Sequence, residues 1–233
     1  MEKNFYLIAT AGGHGSRMGA PVPKQFLTLD GKAILHLTLE KFIEAIPGVK
    51  VITVLPEESM ARWKEYCIVN NFHYPQTLVP GGITRFHSVR AALARVPDGA
   101  YVAIQDGVRP LISKTLIRNM AATMEKVRAL IPVTPATDTL KVLRRDSEGV
   151  LHESAETLDR TTVFGAQTPQ IFLSEDIKKA YSQAYDTSFT DDASVAAAYG
   201  IPLSFIEGEK TNLKITTRED LVLAEAILRC PLE

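Results

Sequence analysis

Short runs rich in β-branched and aromatic residues alternate with longer polar–apolar segments along most of the chain. The runs over 5–10, 49–55, 101–105 and 129–134 lack the polar alternation of a half-exposed sheet, so they predict strands buried on both faces. Between them, 34–46, 57–70, 84–96 and 113–127 carry the helical period, and in 84–96 the residues Phe86, Val89, Leu93 and Val96 share one face. This succession predicts an α/β fold: a mainly parallel sheet covered by helices on both faces, with ligands received outside the carboxyl ends of the strands. The segment 141–160 (KVLRRDSEGVLHESAETLDR) breaks the rhythm, being polar and charged with a weak hairpin signal around Glu148-Gly149. It predicts an excursion from the sheet, against the simpler reading of a solvated loop. Near the end, Thr216-Thr217-Arg218-Glu219 reads as a capping box, followed by Leu221, Ala224 and Leu228 on one helical face.

Composition narrows the class. A chain of 233 residues that is 45% hydrophobic suits one domain over 1–233, with 141–160 projecting from it. Its 26 basic and 27 acidic residues leave a formal charge of −1, which argues against nucleic-acid or anionic-membrane partners and makes any anion site local. Cys67 and Cys230 lie far apart and outside CxxC spacing, which speaks against a disulfide framework or a zinc site and for a cytoplasmic setting. No run approaches the roughly 18 apolar residues of a membrane span.

The first strand runs into Ala11-Gly12-Gly13-His14-Gly15-Ser16-Arg17-Met18-Gly19 and then Pro21-Val22-Pro23-Lys24. Glycines there let backbone N–H groups approach phosphate oxygens without an intervening Cβ. The dinucleotide pattern GxGxxG fails at Met18, which excludes a nicotinamide oxidoreductase, and no Gly-Lys-Ser/Thr is present for a Walker A loop. The loop instead carries two cations, Arg17 and Lys24, with prolines stiffening the segment between them. Two cations beside a phosphate-cradling backbone suit a nucleoside triphosphate, because phosphoryl transfer is catalysed mostly by positioning and charge.

Further along, Asp106 ends a buried strand beside Gly107, where a carboxylate can meet a Mg²⁺ held mainly by phosphates or can simply pair with Arg109. Gly82 and Ser88 suit close approach to a nucleobase, and Arg160 and Lys214 suit a clamp on a second anionic substrate. The five histidines lack metal-ligand spacing and visible nucleophile partners.

Taken together these segments resemble, nearly end to end, the 2-C-methyl-D-erythritol 4-phosphate cytidylyltransferases. The resemblance is carried by 11–19, Pro23-Lys24-Gln25-Phe26, Gly81-Gly82 with Arg85 and Ser88-Val89, Asp106 with Arg109-Pro110, Asp138-Thr139-Leu140-Lys141, Gln167-Thr168-Pro169-Gln170, Thr190-Asp191-Asp192-Ala193-Ser194 and Asn212-Leu213-Lys214-Ile215-Thr216-Thr217. It implies a Rossmann-like nucleotidyltransferase fold and a homodimer whose extended arm, matching 141–160, reaches the partner subunit. The implied reaction transfers CMP from CTP to 2-C-methyl-D-erythritol 4-phosphate with Mg²⁺, giving 4-diphosphocytidyl-2-C-methyl-D-erythritol and pyrophosphate. By the same resemblance, Arg17 and Lys24 stabilise charge at the α-phosphate, Arg160 and Lys214 hold the polyol phosphate, and Asp106 sits by the metal with Arg109 beside it. Ala11, Gly12, Gly13, Gly82 and Ser88 match positions lining the nucleotide; Thr139, Thr168 and Thr190 match positions near the acceptor.

Two departures stand out: Gly12 replaces an alanine, and Gln105-Asp106-Gly107-Val108 stands where His-Asp-Ala-Ala is typical of the family. Ribitol 5-phosphate cytidylyltransferases also resemble the Arg17 and Lys24 loop and carry valine before Arg-Pro, so ribitol 5-phosphate is the alternative acceptor. Thr190-Asp191-Asp192-Ala193-Ser194 and Asp138-Thr139-Leu140-Lys141 favour methylerythritol phosphate. A nucleotide-sensing module without chemistry is the reading from another class, and the retained cations weigh against it.

Overall fold

Each long strand is apolar on both sides because helices cover both faces of the sheet, and the computed structural model, which describes residues 4–13, 22–154 and 158–229, shows how. In chain order the strands are β1 (Phe5–Thr10), β2 (Thr28–Leu29), β3 (Lys32–Ala33), β4 (Lys50–Leu55), β5 (Gln76–Pro80), β6 (Tyr101–Asp106), β7 (Ala129–Pro135), β8 (Leu143–Arg145), β9 (Leu151–Glu153), β10 (Phe164–Ala166), β11 (Gln170–Leu173) and β12 (Ser204–Glu207). The α-helices are α1 (Ile34–Ala45), α2 (Glu57–Val69), α3 (Arg85–Leu93), α4 (Lys114–Thr123), α5 (Ser174–Ala180), α6 (Asp192–Ala198) and α7 (Arg218–Arg229).

The main sheet runs β10-β7-β11-β6-β1-β4-β5, with β12 paired to β7. The pairs β1–β4, β1–β6, β4–β5 and β7–β12 are parallel, whereas β11 and β10 enter antiparallel. Alternate residues of β1 go to opposite layers. Ile8 packs with Val54, Val89, Ile104 and Phe172 under α3, α5 and α6, while Leu7 and Ala9 join Leu39, Phe42, Trp63 and Met120 under α1, α2 and α4. Full burial of side chains of this size contributes about 1.5–3 kcal/mol each, which only a strand apolar on both faces can collect twice. A smaller cluster of Leu29, Ile34, Val108, Ile215 and Ala224 fixes α7 against the loop that follows β6.

The predicted strands and helices all form, with ends shifted by a few residues. Helix α4 stops at Thr123, short of the expected Val127, after its N-cap Ser113 accepts from the Leu116 N–H. The box that opens α7 is one residue later than expected: the Asp220 carboxylate accepts from the N–H groups of Thr216 and Thr217 at 2.7 and 2.8 Å, and Thr217 Oγ1 accepts from the Asp220 N–H at 3.3 Å. The segment 141–160 does leave the sheet as the two-stranded hairpin β8–β9. Cys67 is a free, half-buried thiol whose pKa burial pushes up to about 11; Cys230 lies outside the described residues. Among the described residues no helix is long and apolar enough to cross a membrane.

The sheet order decides where a ligand sits. From β1 the chain passes outward to β4 and β5, then returns to place β6 on the other side of β1. Loops leaving β1 and β6 therefore diverge, opening a crevice at their carboxyl ends.

Candidate active site

A cleft of about 320 Å³ occupies that crevice. The backbone ladder continues past the strands to shape it: the Ala11 N–H donates to Val54 O, the Gly81 N–H to Leu55 O and the Gly107 N–H to Thr10 O, each at 2.8–2.9 Å. Ala11, Gly12 and Gly13 form one wall and Gly82 with Ser88 the facing one, while Asp106, Lys24 and Lys214 bring charge. Lys24 stands on a single 3₁₀ turn (Lys24–Phe26) after Pro23, and the buried Gln25 beside it donates from Nε2 to Ala11 O at 2.7 Å, tying this turn to the glycine loop. At the facing wall Ser88 Oγ accepts from the Gly82 N–H at 2.9 Å and donates to Thr84 O at 3.0 Å. A Cβ on Gly82 would come within 2.6 Å of the His87 Cβ, so only glycine lets this loop fold back on α3.

Asp106 is the electrostatic centre. It is 7% exposed, and its Oδ2 meets Lys214 Nζ at 3.0 Å and Arg109 Nε at 3.3 Å, with Arg85 Nε 3.9 Å from Oδ1. Burial alone pushes its pKa up, but Arg85, Lys214 and Arg109 together outweigh burial and hold the carboxyl below the usual range. Arg85 is itself immobilised: its two terminal nitrogens grip Asp192, which is fully buried, at 2.9 and 2.6 Å, and Tyr181 donates to the same carboxylate at 2.5 Å. Burial opposes the charge on Arg85, yet Asp192 and Asp106 raise its pKa. Burial raises the Tyr181 pKa further, with Asp192 adding to it. Asp192 is held by the start of α6, where Asp191 and Ser194 form a reciprocal capping box. Gln170 Nε2 also donates to Asp191 at 2.7 Å, and Gln170 Oε1 accepts from the Ala193 N–H at 2.7 Å.

A larger hollow, of about 620 Å³, opens at the other end of the sheet near Tyr6, Lys50, Gln76 and Arg95. Among the described residues its lining has no carboxylate, and no strand ends there, so the clustered charge selects the carboxyl-end cleft.

The family model described as 2-C-methyl-D-erythritol 4-phosphate cytidylyltransferase matches residues 5–230. The chain belongs to this family. A relative of that name from Bacteroides thetaiotaomicron is 41% identical over 222 residues, covering 95% of this chain and 98% of its own. One from Porphyromonas gingivalis W83 is 41% identical over 229 residues, covering 98% of this chain and 99% of its own. The crystal structure of the cytidylyltransferase of that name from Francisella tularensis superposes with a TM-score of 0.78 at 30% identity, covering 96% of this chain and 99% of its own.

Within this family member, the described residues singled out by sequence fall into three groups. Ala11, Gly12, Gly13, Lys24, Gly82, Ser88, Asp106 and Lys214 line the cleft. Thr168 and Arg109 stand directly behind it: Thr168 Oγ1 accepts from the Asp106 N–H at 3.0 Å, and Arg109 donates from Nη1 to Asn212 O at 2.7 Å. Thr139, Thr190 and Arg160 are exposed and do not line the cleft; Arg160 donates from its 3₁₀ turn (Arg160–Thr162) to Thr137 O at 3.4 Å. Arg17 lies outside the described residues. Sequence reasoning quoted Arg85 and Asp192 only as parts of motifs and missed that they pair. Arg85 and Asp192 are 107 positions apart, each just inside its own helix start, and no local feature of the sequence links them.

Proposed function

We propose that the chain transfers CMP from CTP to 2-C-methyl-D-erythritol 4-phosphate and releases pyrophosphate. The observation that carries this reading is the fixed ring of Lys214, Arg109 and Arg85 around Asp106 in the same crevice as the glycine walls and Lys24, in a chain of this family. The glycine loop after β1 and the Gly82 turn receive the nucleotide, whose base meets Gly82 and Ser88. A phosphate oxygen of the acceptor attacks the α-phosphorus; the bond to the bridging oxygen of the β-phosphate breaks in line, and that oxygen leaves on pyrophosphate. No proton is required of the protein, because the attacking oxygen is already anionic. Arg17 and Lys24 stabilise the charge that builds at the α-phosphate, where a preorganised cation typically supplies on the order of 10²–10³ in rate. Lys214 and Arg160 hold the acceptor phosphate, and Thr139, Thr168 and Thr190 orient the polyol.

The site fits a Mg²⁺ held chiefly by substrate. Among the described residues no three carboxylates, histidines or cysteines gather to form a cage, and Mg²⁺ typically takes one or two carboxylates with phosphate oxygens. Asp106 offers Oδ1, which sits beyond hydrogen-bond distance of Arg85. When bound, the ion would neutralise charge on the triphosphate.

The arm supports a homodimer. Leu143, Leu151 and Val150 are each about half exposed on the hairpin, with Phe164 just beyond it, and apolar area of this kind is normally covered. Arg160 on that excursion would then complete the neighbour's cleft.

Pyrophosphate release from CTP with Mg²⁺, followed separately with methylerythritol phosphate and ribitol 5-phosphate, tests the reading. Release with the former alone bears it out; preference for ribitol phosphate keeps the chemistry and changes the acceptor, and release with neither refutes both.

A further inference from the structure

The residues around Asp106 come from three loops far apart in sequence: 105–109 after β6, 166–170 between β10 and β11, and 208–215 before α7. One fully buried side chain joins them. Asn212 donates from Nδ2 to Thr168 O at 2.9 Å and to Gln167 Oε1 at 3.2 Å. Its own carbonyl accepts from Arg109 at 2.7 Å. Both Nδ2 partners are acceptors, so the amide orientation is fixed by the bonds it makes. Gln167 closes the clasp from the other side, donating from Nε2 to Glu209 O at 2.8 Å while its Oε1 also accepts from the Glu209 N–H at 3.2 Å. The space is full: a Cβ on Gly208 would lie 2.6 Å from Gln167 Oε1. Three residues beyond Asn212, the Ile215 N–H donates to Val108 O at 2.9 Å, so Lys214 is strung between two anchored points.

We propose that Asn212 is a positioning residue that acts through Lys214. A lysine with 41% of its side chain exposed has four rotatable bonds and would ordinarily sample many rotamers. Here its Cα is set by the Asn212–Gln167 clasp on one side and the Val108 contact on the other, so its ammonium reaches Asp106 rather than solvent. The same asparagine carbonyl aims Arg109 at that carboxylate. The clasp thereby sets the spacing of two cations about Asp106, and with it the place where an incoming phosphate finds positive charge. This inference rests on the transferase reading above.

A double-mutant cycle on kcat/KM for the acceptor separates this role from a purely structural one. Asn212→Ser removes the donor's reach without introducing charge, and it is expected to lower kcat/KM for methylerythritol phosphate by about 10–100-fold, as loss of an orienting partner typically does. Lys214→Ala is expected to lower it more. If Asn212 acts through Lys214, the double variant is no worse than Lys214→Ala within about twofold, because contacting residues in one network are non-additive. Losses that multiply, or an Asn212→Ser enzyme that melts lower yet keeps its wild-type kcat/KM, would overturn the proposal. Should Asn212→Ser not fold, Gln167→Met, of nearly the same length, removes both the acceptor for Asn212 and the donor to Glu209 without introducing charge, and the same cycle is run with it. Inactivity of the wild-type chain would count against the transferase reading instead, since the cycle is read only as ratios to an active wild type.

Discussion

In the cleft, Asp106 is 7% exposed and meets cations whose own positions are fixed by Asp192 and Asn212. In the arm, Lys141 and Glu153 pair at 2.6 Å with both side chains more than 60% exposed, and His152 bonds Asp146 at 2.7 Å across the turn of the same hairpin. Exposed pairs of that kind are worth roughly 0–1 kcal/mol. Nothing they do orients Arg160 beyond its own neighbourhood. The cleft is thus preorganised by its own chain, whereas the exposed pairs of the arm impose no comparable order. Under the proposed function, Arg160 and Lys24 would make opposite demands: one supplied by a partner subunit, the other from within.

That contrast can be broken outright by mixing subunits. Lys24→Ala is expected to lower kcat by about 10²–10³, or about 3–4 kcal/mol of barrier; Arg160→Ala is expected to be similarly impaired while folding normally, because it is exposed. In a hybrid dimer of the two variants, one cleft would lack both residues and the other would keep both. Random reassociation should therefore restore about a quarter of wild-type activity. Absence of recovery would place Arg160 in its own subunit's site or outside any site.

Next in size is the buried pair. Asp192→Asn leaves the Arg85 guanidinium without its bidentate carboxylate and is expected to destabilise the fold by about 3 kcal/mol, the low end for a broken buried pair because Arg85 keeps 31% of its side chain exposed. Removing either partner of an exposed arm pair, by Glu153→Gln, should shift the denaturation midpoint hardly at all. Equal shifts for the two would erase the distinction between the regions.

Acid tests the cleft in a further way. Arg85, Lys214 and Arg109 hold the folded-state pKa of Asp106 below its usual value, so its contribution is present above the unfolded pKa, near 3.9, and is lost as pH falls through the lower folded value. Urea midpoints of wild type and Asp106→Asn should be separated at neutral pH and draw together progressively as pH falls below about 4. A gap that persists unchanged to pH 2 would mean that the charge of Asp106 stabilises nothing.

The sequence showed the repeating, regular parts of the fold well and the irregular parts poorly, for physical reasons. β1, β4, β6 and β7 are apolar runs long enough to announce themselves. β11 is equally buried but only four residues long, and β10 and β12 present alternate or exposed faces that look like loop. The α7 box was placed one residue early because Thr216 with Glu219 and Thr217 with Asp220 satisfy the same spacing; only the geometry shows which carboxylate turns back. Lys24, Asp106 and Lys214 were legible as site residues because glycines, prolines and strand ends mark positions. Asn212 and the Arg85–Asp192 pair were not, since a partner 44 or 107 residues away leaves no local trace.

The two departures from the family pattern give the smallest and most pointed comparison. Each includes a glycine, Gly12 or Gly107, where alanine is typical, yet the two differ in what a methyl group would meet. At Gly107 a Cβ would lie 2.9 Å from Leu35 Cδ1, 3.1 Å from Thr10 O and 3.2 Å from the Ala11 Cβ. Leu35 is fully buried and cannot swing away, and Val108 already fills the neighbouring cluster. Gly107→Ala is therefore expected to cost about 1–3 kcal/mol as an overpacked core position, read from the thermal midpoint. At Gly12 the same methyl group would find nothing within 4 Å, so Gly12→Ala should leave stability within about 0.5 kcal/mol of wild type and the KM for CTP within about twofold. The glycine at 107 is then tied to the packing of Leu35 and Val108, whereas the glycine at 12 is free to revert. A destabilised Gly12→Ala alongside a neutral Gly107→Ala would show that this crevice is packed differently from the way its strand ends indicate.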